Sequence, residues 1–325
     1  MTFWNGRTVF ITGCTGFLGS ALTAELVGLG ANVVGLVRDI VPESRFFSDG
    51  TVDRVTCVRG SLEDYDVIER ALNEYAIDTV FHLGAQAIVG VANRNPLSTF
   101  ETNIKGTWVL LEACRRNPTV KRVVVASSDK AYGDHEILPY QEHFALQGRH
   151  PYDVSKSCAD LIALAYHETY GLPVAITRCG NLFGPGDTNT NRIVPGTIIS
   201  ALAGERPVIR SDGSPVRDYV YVGDIVAAYL LLGEQLESGG HSGQAFNFGT
   251  GEPVSVLDLT RRILAACGRP DLQPIIENNA PGEIQRQFLS SELARGKLGW
   301  APGASLDERL RETADWYSQR RKAAA

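Results

Sequence analysis

Six short apolar runs punctuate the first half of the chain: RTVFITG, ANVVGLV, VTCVRG, DTVFHLGA, KRVVVASS and PVAITRC. Their β-branched residues and short length predict strands. The longer segments between them, SALTAELVGLG, VIERALNEYA, TNIKGTWVLLEACRR and SKSCADLIALAYHETYG, repeat apolar residues at helical spacing. Such alternation predicts an α/β fold built on a doubly wound parallel sheet. After Cys179 the rhythm changes. GNLFGPGDTNTNR, with Gly180, Gly184, Pro185 and Gly186, predicts a loop. RDYVYV, GDIVAAYLLLGEQL and QAFNFG then add a strand, a helix and a strand, and the amphipathic LDERLRETADWYSQ closes a mixed C-terminal region. The expected division is a larger unit, residues 1–178 plus about 218–250, and a smaller mixed α/β unit, 179–217 plus 251–325.

With 325 residues, 44% of them hydrophobic, the chain can bury one large core or two modest ones. A net charge of -6 with interspersed signs argues against a nucleic-acid partner, which calls for a gathered basic surface. No apolar run approaches membrane-spanning length, and MTFWNGR leads straight into VFITG without the segments of a secretory signal. The six cysteines lie scattered in apolar stretches without Cys-x-x-Cys spacing, and the six histidines are unpaired. Buried free thiols in a reducing cytoplasm, and no structural metal, are therefore expected.

Two stretches carry candidate chemistry. ITGCTGFLGSAL sets Gly13, Gly16 and Gly19 between the first strand and the first helix. Glycines there allow a sharp turn and close approach to a pyrophosphate, while the helix start offers N–H groups to the phosphates. A helix-capping turn is the alternative. At the second strand end, Val37 stands where an acidic residue usually holds the ribose of NAD, with Arg38 and Asp39 just beyond. Arg38 suits adenine stacking or a 2'-phosphate and Asp39 suits a ribose, which favours NAD and leaves NADP open; a solvated pair is the competing reading.

HPYDVSKSCADL sets Tyr152 and Lys156 four residues apart on one helical face. A nearby ammonium favours the phenolate, giving a base able to take a proton from a sugar hydroxyl. Upstream, VVASSDKAYG ends a strand in Ser127, Ser128, Asp129 and Lys130, a carboxylate directly followed by an amine.

Together these residues resemble the extended short-chain dehydrogenase/reductase superfamily, in its branch of nucleotide-sugar epimerases and dehydratases. The resemblance spans nearly the whole chain: TGCTGFLG, FHLGAQ, the Asn103 of ETNIKGT, SSDKAYG, YDVSK, RCGNLFGPGD, DGSPVRDYVYVGD, NFGTGEPVSV and PGEIQRQFLSSELARGKLGW. It implies a Rossmann-type cofactor domain with a smaller substrate domain, and a trio of Ser128, Tyr152 and Lys156. Tyr152 is then the base, Ser128 bonds the reacting hydroxyl, and Lys156 binds the nicotinamide ribose and lowers the tyrosine pKa. Cofactor contacts are implied for Gly13, Thr15, Gly16, Phe17, Leu18, Gly19, Arg38, Ser61, Leu62, Leu83 and Ala85, besides Tyr152 and Lys156. Ser61 departs from the aspartate usual near the adenine.

The aspartate-lysine pair resembles that of CDP-glucose 4,6-dehydratases and of inverting UDP-N-acetylglucosamine dehydratases, whereas 4-epimerases carry small or unreactive residues there. Once C4 is a ketone the C5 proton is acidic, so one group removes it while another protonates the departing C6 hydroxyl. Lys130 is assigned as the C5 base and Asp129 as the C6 acid, roles that require a neutral amine and a protonated carboxyl, forms that burial favours. An Asx-type turn at Asp129 with Lys130 in solvent is the alternative.

The resemblance places Asn181, Arg217 and Arg286 at the nucleotide diphosphate, where arginine suits phosphate oxygens, with Asn191 and Arg192 near the nucleotide. The expected activity is that of an NDP-hexose 4,6-dehydratase acting on a CDP-glucose-like or GDP-mannose-like substrate, with NAD retained through the cycle. A 4-epimerase or uronate-processing relative, closer to the RDYVYV stretch, is one rival, and a non-catalytic dinucleotide sensor is another. The family also implies a homodimer formed through the helix after Asn103 and the helix carrying Tyr152.

Overall fold

The computed structural model describes residues 2–238, 240–279 and 284–324. The six apolar runs form β1 (Thr8–Thr12), β2 (Asn32–Val37), β3 (Thr56–Arg59), β4 (Thr79–His82), β5 (Arg122–Ala126) and β6 (Val174–Cys179), and QAFNFG supplies β7 (Ala245–Phe248). All seven pair in parallel in the order β7-β6-β5-β4-β1-β2-β3. The strand order reverses between β1 and β4, which opens a crevice at their carboxyl ends.

The central strands are apolar on both parities because both faces are covered, whereas the edge strand β3 buries only Val58. Val9, Ile11, Phe81, Val124 and Ala175 pack on one side against the helices Phe17–Gly28 and Val222–Ser238. Phe10, Val80, Val123, Val125 and Ile176 pack on the other, against Tyr65–Glu74, Gly106–Arg116 and Pro151–Tyr170. A third core gathers Phe183, Ile198, Tyr219, Leu259 and Leu310.

RDYVYV departs from expectation. It forms two short strands, neither in the main sheet: Val216–Arg217 pairs with Val254–Ser255 and with Arg286–Gln287, and Tyr219–Tyr221 pairs with Asn181–Phe183 inside the predicted loop. The break falls at Asp218, fully buried. Its carboxylate accepts from Thr250 N at 2.9 Å and Thr250 Oγ1 at 2.8 Å, and its carbonyl accepts from Asn181 N at 2.9 Å. The segment after Asn95 also differs from a plain helix: Glu101–Lys105 is a π turn running into Gly106–Arg116.

Candidate active site

A cleft of about 1510 Å³ opens over the carboxyl ends of the strands, more than the roughly 300–1,000 Å³ of a single small-molecule site. Gly13, Thr15, Gly16, Phe17, Leu18 and Gly19 line one end, joined by Arg38, Asp39, Ser61, Leu62, Leu83 and Ala85. The glycines fit a close approach. Gly13 has φ +74° and a Cβ there would meet Gly84 N at 2.7 Å, while a Cβ on Gly19 would fall 1.9 Å from Gly13 O. The helix starting at Phe17 has no side-chain cap, so its first N–H groups remain available to a diphosphate. Arg38 donates to Asp39 at 2.7 Å, both well exposed at the cleft edge, and Ser61 donates to Glu63. A dinucleotide fits this end.

A buried polar chain braces that loop. Thr12 Oγ1 accepts from Leu83 N at 3.1 Å and Gly84 N at 3.0 Å, so its hydrogen goes to His82 Nδ1 at 2.8 Å. His82 Nε2 then donates to Thr107 Oγ1 at 3.0 Å, and Thr107 donates to Asn103 O at 2.6 Å. The Asn103 amide, on the π turn, accepts from Gln86 N at 2.7 Å and donates to Ser155 Oγ at 2.9 Å. Burial, with Lys156 nearby, pushes the His82 imidazole down to about 3.

The helix Pro151–Tyr170 starts with proline in its first turn and carries Tyr152 and Lys156 on its cleft face. Burial pushes the Tyr152 phenol up to about 12; the Ser128 hydroxyl draws it down, and the Asp129 carboxylate pushes it further up. Lys156 donates to Ala126 O at 2.8 Å, at the end of β5, and burial lowers its ammonium to about 8 against the pull of Asp160. The same helix is pinned from below by Asp160, which accepts two hydrogen bonds from Arg178 at 2.8 and 2.9 Å in full burial.

Ser128 caps a short 3-10 turn, Asp129–Tyr132, accepting from Lys130 N at 3.2 Å. Asp129 is 2% exposed; one carboxyl oxygen accepts from Ser128 Oγ at 3.0 Å and the other has no partner. Lys130 does not run into solvent. Its Nζ donates to Gln287 Oε1 at 2.6 Å, on the cleft wall. The turn is capped by the Ser128 hydroxyl and not by the Asp129 carboxylate, as an Asx-type turn at Asp129 would require, and both side chains face inward.

Asn181, Asn191, Arg192 and Arg217 line the other half of the cleft, with Arg192 held by Asp187 at 3.1 Å. Arg286 does not. It is exposed and stacks on Phe288, with 5.6 Å from guanidinium to ring centroid, because its neighbour Gln287 takes the inward position of the two-residue strand. Gln287 and the chain through Thr12, His82 and Thr107 were missed by sequence reasoning. Among the described residues no cluster of metal-ligating side chains occurs, and no helix is long and apolar enough to cross a membrane.

A parallel sheet whose order reverses beside a glycine loop, over a Ser-Tyr-Lys cluster, defines a dinucleotide-dependent enzyme class. The chain belongs to the NAD dependent epimerase/dehydratase family, whose profile matches residues 9–249, and NAD is accordingly its cofactor. It is 30% identical to a CDP-glucose 4,6-dehydratase of Salmonella typhimurium, over 97% of this chain and 91% of that one. It is 32% identical to a dTDP-glucose 4,6-dehydratase of Streptomyces antibioticus, over 96% of this chain and 93% of that one. Among solved structures it is similar to a UDP-glucose 4-epimerase from Thermotoga maritima with UDP-glucose, with a TM-score of 0.87 and 29% identity, over 97% and 99% of the two chains.

Proposed function

We propose that the chain is an NDP-hexose 4,6-dehydratase, converting a CDP-glucose-like or GDP-mannose-like nucleotide sugar to its 4-keto-6-deoxy product. The observation that carries this reading is the Asp129–Lys130 pair turned into the cleft directly after Ser128. The two dehydratase relatives support it.

Bound NAD supplies the hydride acceptor for C4 and the hydride donor for C6. Tyr152 takes the proton of the C4 hydroxyl, with Ser128 bonding the same oxygen. Lys156, anchored on Ala126 O, presents its remaining N–H groups to the cleft. With C4 a ketone, Lys130 removes the C5 proton, the C6–O bond breaks, and Asp129 protonates the leaving oxygen as water. The second Asp129 oxygen is buried without a hydrogen-bond partner, which leaves its bonding capacity for a substrate hydroxyl. The proton then returns to C5, so the balance is the loss of one water. Asn181, Arg192 and Arg217 serve the nucleotide diphosphate, with Asn191 beside them; Arg286 faces away from that role.

The likeness to a 4-epimerase favours a second reading, oxidation and re-reduction at C4 alone. Mass spectrometry in deuterated water with CDP-glucose, GDP-mannose, dTDP-glucose, UDP-glucose and UDP-N-acetylglucosamine separates the two. Loss of water with one deuterium gained is expected for one nucleotide; unchanged mass with a new C4 epimer overturns the dehydratase reading. Lys130→Met is expected to leave a 4-keto hexose still bearing its C6 hydroxyl. Exposed Trp108, Leu161 and Tyr170 on the helices Gly106–Arg116 and Pro151–Tyr170 support a homodimer through those helices, which sedimentation equilibrium tests.

A further inference from the structure

Gln287, next to Arg286 in the stretch PGEIQRQFLSSELARGKLGW, carries no role in the resemblance, yet it is fully buried and touches both members of the acid–base pair. Its Oε1 accepts from Lys130 Nζ at 2.6 Å, and its Nε2 donates to the Asp129 carbonyl at 3.1 Å. The strand Arg286–Gln287 pairs with Val216–Arg217 so that Gln287 lies opposite Arg217, the candidate phosphate ligand. Beyond it, Phe288 O accepts from Tyr140 N at 2.9 Å and Ser290 N donates to Tyr140 O at 2.9 Å, strapping this segment to the chain that follows the 3-10 turn.

We propose that Gln287 is a positioning residue that fixes Lys130 and Asp129 from the substrate side and does so without adding charge. An amide is the side chain that satisfies both contacts at once, since it offers one acceptor and two donors. Its neutrality matters for a lysine that must lose a proton. A carboxylate in the same place would hold the amine as ammonium and repel the Asp129 carbonyl. The titratable and charged groups around the pair are Asp153 and Tyr152 on the helix Pro151–Tyr170, His150 before it, Tyr140, Cys179 at the end of β6, and Arg217 and Asp218 on the neighbouring strand segment. With Asp153 already near Lys130, a second anion would add to the negative charge around the amine. Through the strand pairing, a substrate held at Arg217 meets a wall whose next residue sets the acid–base pair.

What the pair does rests on the dehydratase reading; the contact itself does not. The test compares wild type, Gln287→Leu and Gln287→Glu in two measurements. In the first, NAD-loaded enzyme and its nucleotide sugar are followed in deuterated water for C5 deuterium uptake against pH, alongside C4 oxidation and KM. Gln287→Leu is expected to slow C5 exchange about a hundredfold, the cost of a misplaced group, while KM stays within about threefold. Gln287→Glu is expected to move the rise of C5 exchange about one to three pH units upward. Equal losses in C4 oxidation and C5 exchange, or an unmoved profile, would overturn the proposal. In the second, 13C-lysine-labelled protein without substrate is titrated by NMR, Lys130 being identified by the signal lost in Lys130→Arg. The Lys130 midpoint is expected to rise by about one to three pH units in Gln287→Glu, and an unchanged midpoint overturns the proposal. If wild type exchanges no C5 proton with any sugar nucleotide, the dehydratase reading fails, and the NMR result alone decides the role of Gln287.

Discussion

Replacing His82 with asparagine should make the protein less sensitive to acid, and the size of the effect follows from the His82 hydrogen bonds. Both lone pairs of Thr12 Oγ1 are taken by Leu83 N and Gly84 N, so that hydroxyl can only donate to His82 Nδ1. A proton on Nδ1 would face another hydrogen, and Lys156 adds like-charge repulsion to the burial that drives the imidazole from 6.5 to about 3. The folded value lies below the unfolded one, so the contribution to stability is complete above pH 6.5 and is lost as pH falls toward 3. The loss runs at about 1.4 kcal/mol per pH unit, so about 2 kcal/mol disappears between pH 6.5 and about pH 4.5. Asparagine keeps an acceptor for Thr12 and does not titrate. Urea midpoints followed by tryptophan fluorescence should fall more steeply with acid in wild type than in His82→Asn, by that amount. His82→Asn will be less stable at neutral pH, by about 1–3 kcal/mol for the donor that Thr107 loses. Parallel pH dependences in the two proteins would refute the reasoning, since a histidine that accepts its proton in the folded state produces no such slope.

Removing Asp160 alone strands a buried guanidinium, and Asp160→Leu should cost about 3–5 kcal/mol in denaturant unfolding. Adding Arg178→Met should restore about 2 kcal/mol, because only the Glu142 carbonyl and the Tyr132 hydroxyl then lose a donor; a double variant no more stable than the single one would sink the account. Gly19→Ala drives a Cβ into the Gly13 carbonyl and should cost about 1–3 kcal/mol and at least tenfold in NAD affinity by calorimetry. Gly28→Ala in the same helix has open space and should gain about 0.5–1 kcal/mol.

The six strands of the first half were legible because each is a continuous apolar run, and the cleft followed from the glycine loop at the end of the first. The Tyr152–Lys156 pair was legible because spacing alone fixes its face of the helix. Strands of two or three residues were not. In Arg286–Gln287 both residues are polar, so nothing in the sequence tells which side chain turns inward; the resemblance implies Arg286, and the structure turns Gln287 inward instead. RDYVYV reads as one strand until Asp218 is seen holding Thr250 and Asn181, contacts made with residues distant along the chain. Lys156 is expected from the sequence to lower the Tyr152 pKa; around the phenol, burial and Asp129 raise it while Ser128 and Arg192 lower it, and the Lys156 amine donates to Ala126 O.

The π turn at Glu101–Lys105 imposes a counting rule on this part of the chain. A π turn is an α-helix that has absorbed an extra residue, and removing one would let regular hydrogen bonds form throughout. The resulting helix would be sound in itself, but each residue carries about 100° of rotation, so the two ends would fall out of phase. Asn103 could then not face Gln86 and Ser155 while Thr107 faces His82. A deletion here would be expected to leave helix content and overall folding intact and to uncouple the cofactor loop from the helix that carries Tyr152. Chain length is therefore under tighter constraint inside this helix than in the surface loops, the reverse of the usual pattern of tolerance to insertion and deletion.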